Sequence, residues 1–300
     1  MKQSTDHSAA PFAVAILGIA TFAGMDVMMK GLSIEMGTYN AMLWRTGIAL
    51  LLATSLFLWK RQPWPQKDAI KVHILRGMVT SVMAFLFFWG LVYVPIGEAI
   101  ALSFIAPLIA LYLAAVLLGE KISQRAVLAS AIGLVGALVI VAGKLSGDYS
   151  DNVAWGMGAI LLSAILYAYN LILQRQQAQI AEPIEVAFFQ NATVVFIYLL
   201  LAPFLAVVPA LSLLPSLVGT AMLGVASLML LSWAYARAEA KVLIPIEYTA
   251  FIWATLFGWL LYGEILTLTT LAGTALIVAG CLIAARQQPD AVDHVETTAI

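Results

Sequence analysis

Charged side chains inside long apolar segments are the residues of this chain most able to do chemistry. Asp26 and Lys30 lie four residues apart in the first apolar segment, and Arg45 lies in the second. Each such group costs roughly 2.5–3.5 kcal/mol on membrane-insertion scales, so each is a functional candidate. Residues four apart share a helical face, so Asp26 can pair with Lys30, or with Arg45. Either these charges neutralise one another and hold two helices together, or they line a cavity with Asp26 as anchor or proton acceptor.

Three more charged residues stand close to segment ends. Arg76 lies one turn inside the third segment, and it either reaches back to the lipid headgroups or binds an anion such as a substrate carboxylate. Glu98 follows "VPIG" at the start of the fourth segment, where a helix N-terminus favours a carboxylate. Glu247, in "LIPIEYTAF", lies deeper. In a dry cavity it can exchange a proton for a substrate, so it is the better candidate for coupling.

Neutral groups complete the candidate site. Tyr167, Asn170 and Gln174 share one helical face, and Gln190 follows in the next segment. Pro107, inside the fourth segment, frees a backbone carbonyl, which indicates either a plain kink or a cavity lining. Aromatic residues predict a wall for flat or amphipathic substrates, or else ordinary lipid contacts: Trp89, Tyr167, Trp233, Tyr235 and Tyr248.

The composition shows what must position these residues. Of 300 residues, 63% are hydrophobic and only 10% are charged, and the mean hydropathy is +0.97. A soluble domain has about 25% charged residues, so most of this surface must face lipid. The net charge of -1 argues against a nucleic-acid partner. One cysteine, Cys281, and three scattered histidines predict no metal site, and no cofactor is implied.

Ten apolar segments are long enough to cross a bilayer as helices, and none shows the alternation of a barrel strand. The first lacks a clear cleavage site, so a retained span is expected rather than a signal peptide. The predicted spans are 11–31, 39–59, 72–93, 97–118, 125–143, 153–174, 184–207, 214–236, 242–263 and 267–286.

Lysine and arginine predict the orientation, because they accumulate in cytoplasmic links. With both termini in the cytoplasm, the opposite links hold only Lys144, with Lys30 at a span edge. We therefore expect a multi-pass protein of the inner (plasma) membrane, with a tail at 1–10 and a disordered tail at 287–300. The cytoplasmic links would hold Lys60, Arg61, Lys67, Lys71, Lys121, Arg125, Arg175, Arg237 and Lys241.

A repeat with an offset of 144 residues divides the chain. "GE" closes an apolar segment at Glu120 and again at Glu264, and the same offset matches Trp89 with Trp233 and Asp26 with Asn170. Five spans per half is an odd number, so the halves, 11–143 and 153–286, should be inverted. Both glutamates are expected to be structural helix ends. The "GLVG" of span five and the "AGTA" of span ten are typical of close helix packing.

Two long stretches resemble the EamA-type members of the drug/metabolite transporter superfamily. They are "LRGMVTSVMAFLFFWGLVYVPIGEAIALSFIAPLIALYLAAVLLGEKIS" and "AKVLIPIEYTAFIWATLFGWLLYGEILTLTTLAGTALIVAGCLIAAR". The "DxxxK" of Asp26 and Lys30 and the Arg45 of "LWRTG" also fit one branch. The resemblance implies ten helices in two inverted halves around a central cavity. It also implies transport of amino acids, nucleotide-like metabolites, vitamins or drugs, outward or inward.

The leading hypothesis is therefore a secondary transporter of small organic metabolites, either proton-coupled or an exchanger, with amino-acid export as the first substrate class. Vitamin or nucleotide-like uptake and drug efflux are the alternatives. No "GxxxxGK[ST]" or "HExxH" motif occurs, so neither direct ATP use nor an intramembrane enzyme is expected. A channel or a structural membrane protein is the other class. A fused duplication closes its own two-fold axis, so a monomer suffices, although a dimer is compatible.

Overall fold

The structure is a computed structural model, and it describes residues 10–106, 108–110, 112–113, 124–145, 151–235, 237 and 248–285. Pro107, Glu120 and Glu247 lie outside these ranges, and so do most of both tails. The expectations for those three residues therefore stay predictions.

The described residues form ten α-helices, a single 3-10 turn at Leu211–Leu213, and no strand. The helices are α1 Ala10–Met36, α2 Thr38–Trp59, α3 Lys67–Leu91, α4 Ile96–Ser103, α5 Gln124–Leu145, α6 Asp151–Ile180, α7 Pro183–Leu205, α8 Leu214–Tyr235, α9 Thr249–Tyr262 and α10 Leu268–Ala285.

Six segments are long and apolar enough to cross a bilayer: α1, α2, α3, most of α6, α7, and α8 with the 3-10 turn before it. Their outward faces carry large apolar side chains, such as Phe196, Leu200 and Phe204 along α7. Water would not tolerate so much exposed apolar surface, whereas lipid does. The prediction of an all-α polytopic membrane protein is confirmed.

Several helices differ in length from the apolar segments. The first helix runs five residues beyond the predicted end at 31, and α6 continues to Ile180 rather than stopping at 174. Hydropathy detects only the part of a helix that lies in hydrocarbon, so polar extensions are missed. Within the fourth predicted span, α4 ends at a turn at Phe104 and Ile105, and the described residues from Ala106 onward are helical again.

Helices of the first half pack chiefly against helices of the second half. The closest association joins α5 and α10. At their crossing, a Cβ added to Gly136 would lie 2.5 Å from the carbonyl oxygen of Gly273, and the reverse holds equally. The contact agrees with the close packing predicted from "GLVG" and "AGTA".

Most contacts between the halves occur in matching pairs. Helix α1 packs on α8 as α3 packs on α6, α2 packs on α8 as α3 packs on α7, and α1 packs on α9 as α4 packs on α6. Three helices pack on their own counterparts: α2 on α7, α4 on α9 and α5 on α10. Exchanging the two halves leaves this set of contacts unchanged, as a two-fold relation between them requires.

Glycines with positive φ end two helices. Gly37 alone separates α1 from α2, with φ 79°. Gly263 ends α9 in the left-handed conformation, with φ 63°. Only glycine adopts these angles without steric cost. The turn at Gly263 directs the chain so that Glu264 points back into the protein.

Candidate functional site

Lys30 lies in a buried cluster at one end of the helix bundle. Its Nζ donates to the carbonyl oxygen of Val94 at 2.9 Å and forms an ion pair with Oε1 of Glu264. The other carboxylate oxygen of Glu264 accepts from the backbone N–H of Ile96 at 2.8 Å. We call these four residues the Lys30 cluster. It joins α1 and the α3–α4 link to the α9–α10 link, and thus one half to the other.

The expected pairing of Asp26 with Lys30 is wrong. Lys30 turns to Glu264, which is 234 residues away in the chain but adjacent in space. The prediction of a structural role for Glu264 agrees with this contact. Sequence spacing indicated the neighbour on the same helix, but it did not show that the α9–α10 link would bring a carboxylate to the same place.

A second polar cluster lies at the opposite end of α3. His73 Nε2 lies 2.8 Å from Oε1 of Glu185 on α7, and Gln177 Nε2 on α6 lies 2.5 Å from His73 Nδ1. The Oε1 atom of Gln177 in turn accepts from Nη1 of Arg76. His73 and Gln177 are fully buried, and Arg76 and Glu185 are nearly so. We call these four residues the His73 network.

Neutral amides surround the rest of the Arg76 guanidinium. Its Nε donates to Oδ1 of Asn170 at 3.1 Å and its Nη2 to Oε1 of Gln174 at 3.3 Å. The same oxygen of Asn170 accepts from the Thr80 hydroxyl at 3.3 Å. The hypothesis that Arg76 reaches the headgroups is wrong, because this side chain is buried and bound. Neighbouring Tyr167 is close enough to act on the guanidinium electrostatically.

Asp26 and Arg45 lie on α1 and α2 and belong to neither cluster. Asp26 is fully buried, and in the described part of the chain neither of its carboxylate oxygens has a hydrogen-bond partner. Arg45 is near enough for the two charges to interact, but they form no direct ion pair. Its Nη1 contacts only the sulfur of Met25, at 3.6 Å, and its Nε has no partner.

Arg45 and Met25, the residue before Asp26, lie against α8. Helices α1 and α8 run antiparallel, since Gly18 faces Leu231 while Met28 faces Gly219. A Cβ on Gly224 would lie 3.0 Å from Nη1 of Arg45, so this glycine leaves room for the guanidinium.

Gln190 on α7 is the remaining amide of the predicted site. It is buried, and its Oε1 has no partner among the described residues. Along α7 it lies between Glu185 of the His73 network and Tyr198, which acts electrostatically on Arg45. The sequence correctly indicated that Gln190 is an internal polar residue.

The Lys30 cluster and the His73 network are far apart. His73 is in the second turn of α3, whereas Val94 follows the C-terminal end of the same helix. At 1.5 Å per residue the separation is roughly 30 Å, the thickness of a bilayer core. The predicted placement of Asp26 and Lys30 towards one end, and of Asn170 and Gln174 towards the other, agrees with these positions.

The single aromatic wall expected from the sequence is not formed. Trp89 lies near the C-terminal end of α3 and packs edge-on against Tyr93, with ring centroids 5.1 Å apart. Trp233 lies at the opposite end of the bundle, where it packs beside Val14 and under the guanidinium of Arg237. The two tryptophans match at the offset of 144 residues, but they lie at opposite ends of the bundle. Tyr248 packs edge-on against Phe104 instead, at 5.1 Å.

Glu98 lies in the first turn of α4, as predicted for a carboxylate at a helix N-terminus. It is fully buried, and its Oε1 accepts from the hydroxyl of Thr270 on α10 at 3.1 Å. It therefore joins the two halves as well as favouring the helix end.

Two pockets are lined by described residues, one along α9 and the other next to the Lys30 cluster, where Nζ of Lys30 lies 5.6 Å from the centroid of the Tyr262 ring. The larger, of about 380 Å³, is apolar and opens between α9 side chains such as Phe251 and Trp259. The other, of about 260 Å³, lies beside Glu35 and Tyr262. Neither is lined by a predicted site residue.

His73, Glu185 and Gln177 are site residues that the sequence alone did not indicate. In the sequence, His73 lies at the edge of an apolar segment, and the other two histidines lie in the tails. Glu185 stands in the first turn of α7, where helix polarity alone explains a carboxylate. The one available signal was the shared face of Gln174 and Gln177 with Asn170 on α6.

Comparison with known proteins gives relatives along the whole chain. A pseudopaline exporter of Pseudomonas aeruginosa is 26% identical over 278 residues, covering 91% of this chain and 95% of its own. A riboflavin transporter of Rhizobium johnstonii is 27% identical, covering 92% and 90%. An S-adenosylmethionine uptake transporter of Rickettsia bellii is 22% identical, covering 89% and 90%.

A crystal structure of another protein shares the fold, with a TM-score of 0.60 and 21% identity over 91% of this chain and 96% of its own. The model of the EamA-like transporter family matches twice, at residues 11–142 and 154–286. Together with the ten-helix bundle, these two matches account for nearly all of the apolar sequence. The chain belongs to the EamA-like transporter family.

Proposed function

We propose that this chain binds a small zwitterionic metabolite, of the amino-acid class, between Asp26 and Arg45 and exports it by alternating access. Family membership makes the chain a membrane transporter of small metabolites. The substrate, the direction and the mechanism are the proposal. Both termini are proposed to lie in the cytoplasm, and the membrane is proposed to be the inner one. A monomer would suffice for this mechanism.

One observation carries the proposal: Asp26 is fully buried, and neither of its carboxylate oxygens has a partner among the described residues. A buried carboxylate without hydrogen bonds costs several kcal/mol, and proteins seldom keep one without a use. Arg45, with its own unbonded Nε, stands nearby without pairing. A ligand with an ammonium and a carboxylate would satisfy both residues. The opposite charges held slightly apart are complementary to such a zwitterion.

Both clusters close the bundle on either side of this pair. The Lys30 cluster and the His73 network each join the two halves, and they lie at opposite ends of α3. Alternating access requires one end to open while the other stays closed. Rocking of the halves would break one cluster at a time, which gives the bound substrate access to each side in turn.

Energy for transport is proposed to come from a proton gradient or from exchange, with Asp26 and Glu247 as the candidate carboxylates.

The relatives differ in substrate, as their names include S-adenosylmethionine, an amino-acid derivative, and riboflavin. Uptake of a vitamin or of a nucleotide-like metabolite is therefore the second candidate.

The test is counterflow in proteoliposomes. Vesicles loaded with pooled unlabelled amino acids receive one labelled amino acid at a time, with and without a pH gradient. Accumulation of a labelled amino acid supports the proposal and names its substrate. If amino acids stay outside while labelled riboflavin or S-adenosylmethionine accumulates in vesicles loaded with that compound, the amino-acid assignment is wrong and the uptake alternative replaces it.

A further inference from the structure

The His73 network has a fixed direction of hydrogen bonding. Arg76 carries only donors, so Oε1 of Gln177 must accept from it. The amide of Gln177 must then present its NH₂ group to His73. Nδ1 of His73 must therefore be an acceptor, which leaves the proton on Nε2, where it is donated to Glu185. In this structure the imidazole is neutral.

A second proton on His73 is incompatible with this arrangement. It would occupy Nδ1 and place an N–H opposite the NH₂ group of Gln177, 2.5 Å away. Turning the amide over does not help, because its NH₂ group would then face the guanidinium of Arg76. Protonation thus removes the His73–Gln177 hydrogen bond, one of several between α3 and α6, and creates two opposed donors in a buried site, which is costly.

Few charged groups surround the imidazole of His73. Among the described residues, the charged groups that face it are Glu185 on α7 and Arg76 on α3 itself. From the described side chains of α6 the amide of Gln177 contacts it, and the ring of Phe189 on α7 is stacked on the imidazole, with ring centroids 4.8 Å apart. Imidazole is also the side chain that ordinarily changes charge between pH 5 and 8.

We propose that His73 is a proton-binding site that opens this end of the transporter. A proton taken up at Nδ1 breaks the hydrogen bond to Gln177 and weakens the contact of α3 with α6. These helices belong to different halves, so the loss separates the halves at this end. The proposal goes beyond the substrate site between Asp26 and Arg45, because it assigns a proton-dependent opening step to a residue outside that site.

Opening can be measured without any substrate. Thr80 donates to Asn170 at the interface of α3 and α6, so a cysteine there reports on separation of the helices. Thr80→Cys in a Cys281→Ser chain, held in lipid nanodiscs, is treated with a membrane-impermeant maleimide from pH 8 to pH 5.5. Rates are divided by those of an exposed reference, Val208→Cys, because thiol reactivity itself depends on pH.

Two variants test whether protonation of His73 causes the opening. Gln in place of His73 can donate to Glu185 and accept from Gln177, but it cannot gain a proton, so His73→Gln should stay closed at every pH. Gln177→Glu gives His73 and Arg76 a shared acceptor, so protonation should now strengthen the contact. Its pH dependence should run in the opposite direction.

The expected result is a several-fold rise in the normalised rate on acidification, absent in His73→Gln and reversed in Gln177→Glu. Equal pH dependence in the unsubstituted network and in His73→Gln overturns the proposal, and so does a rise of the same sign in Gln177→Glu. Monodisperse elution confirms that each variant is folded. Since no substrate is present, failure here is distinct from failure of the proposed function.

Discussion

At the scale of single residues, matching positions of the two halves carry different chemistry. Asp26 and Asn170 are 144 residues apart and stand at the same repeat position. The oxygen of Asn170 is satisfied by Arg76 and Thr80. The oxygens of Asp26 are not satisfied within the described chain. We propose that this position has a structural role in one half and binds a ligand in the other.

A stability measurement separates these roles. If Asp26 is a ligand anchor rather than part of a structural pair, Asp26→Asn should abolish counterflow without lowering the free energy of unfolding, because it removes a buried charge that has no hydrogen bond among the described residues. Thermal unfolding in detergent measures the second quantity. Glu35→Gln, a neutralised and exposed carboxylate of the same helix, is the matched control and should retain transport. A lower unfolding midpoint for Asp26→Asn would indicate a structural pair instead.

Lys30 and Glu264 are expected to act as a structural pair. Glu264→Gln leaves a buried ammonium without its counter-charge, which destabilises proteins by about 3–5 kcal/mol. The exposed pair Lys71–Asp68 is the control, since its side chains are 78% and 90% accessible. Lys71→Ala should leave the unfolding midpoint unchanged within error. An equally small effect of Glu264→Gln would contradict the role assigned to the Lys30 cluster.

Residue spacing revealed part of the site and missed the rest for a physical reason. The charges inside spans were visible because burial makes them costly, and Asp26 and Arg76 are indeed buried, while Arg45 is partly buried. Their partners were not visible, since Gln177 and Glu264 reach Arg76 and Lys30 through packing between the halves. Spacing along one helix predicts contacts three or four residues away, but not contacts between helices.

At the scale of helices, small residues set how closely the two halves approach. Gly136 and Gly273 bring α5 and α10 together at a distance that no side chain allows. Hydropathy predicted the presence of most helices, because each needs an apolar stretch. It did not predict that α1 extends to Met36 or that α4 ends at Ser103, since these ends depend on polar turns and local backbone geometry.

Glycine substitutions test this packing. Gly273→Ala should lower the unfolding midpoint, because its Cβ would lie 2.5 Å from the backbone oxygen of Gly136, even though alanine favours a helix by about 1 kcal/mol. Gly158→Ala is the matched control, as its Cβ would meet nothing within 4 Å. That variant should be as stable as the parent or more stable. A stabilising Gly273→Ala would mean that α5 and α10 separate easily.

At the scale of the whole molecule, the paired contacts support an inverted duplication. The repeat was proposed from a few matches at one offset, and the exchange-symmetric set of helix contacts is what such a duplication predicts. Inversion also explains why Trp89 and Trp233 lie at opposite ends. A sequence repeat gives correspondence between positions, whereas only the packing shows which positions meet.

Labelling from one side of the membrane tests the proposed orientation. In a Cys281→Ser chain, Val208→Cys in the α7–α8 link should react with an impermeant reagent in intact cells. Trp64→Cys in the α2–α3 link should react only after permeabilisation. Both side chains are exposed, at 81% and 69%, so access to the reagent is limited by the membrane alone. The opposite pattern would place the termini outside.

We propose that Asp26 and Arg45 together recognise a zwitterion. The most direct measurement is competition in counterflow by an amino acid, by its methyl ester and by its deaminated acid, in the parent protein and in Arg45→Gln. We predict that only the intact amino acid competes in the parent, and that Arg45→Gln removes the preference for the free carboxylate over the ester. If the ester competes as well as the amino acid in the parent, Arg45 does not bind the substrate carboxylate, and the assigned site is wrong.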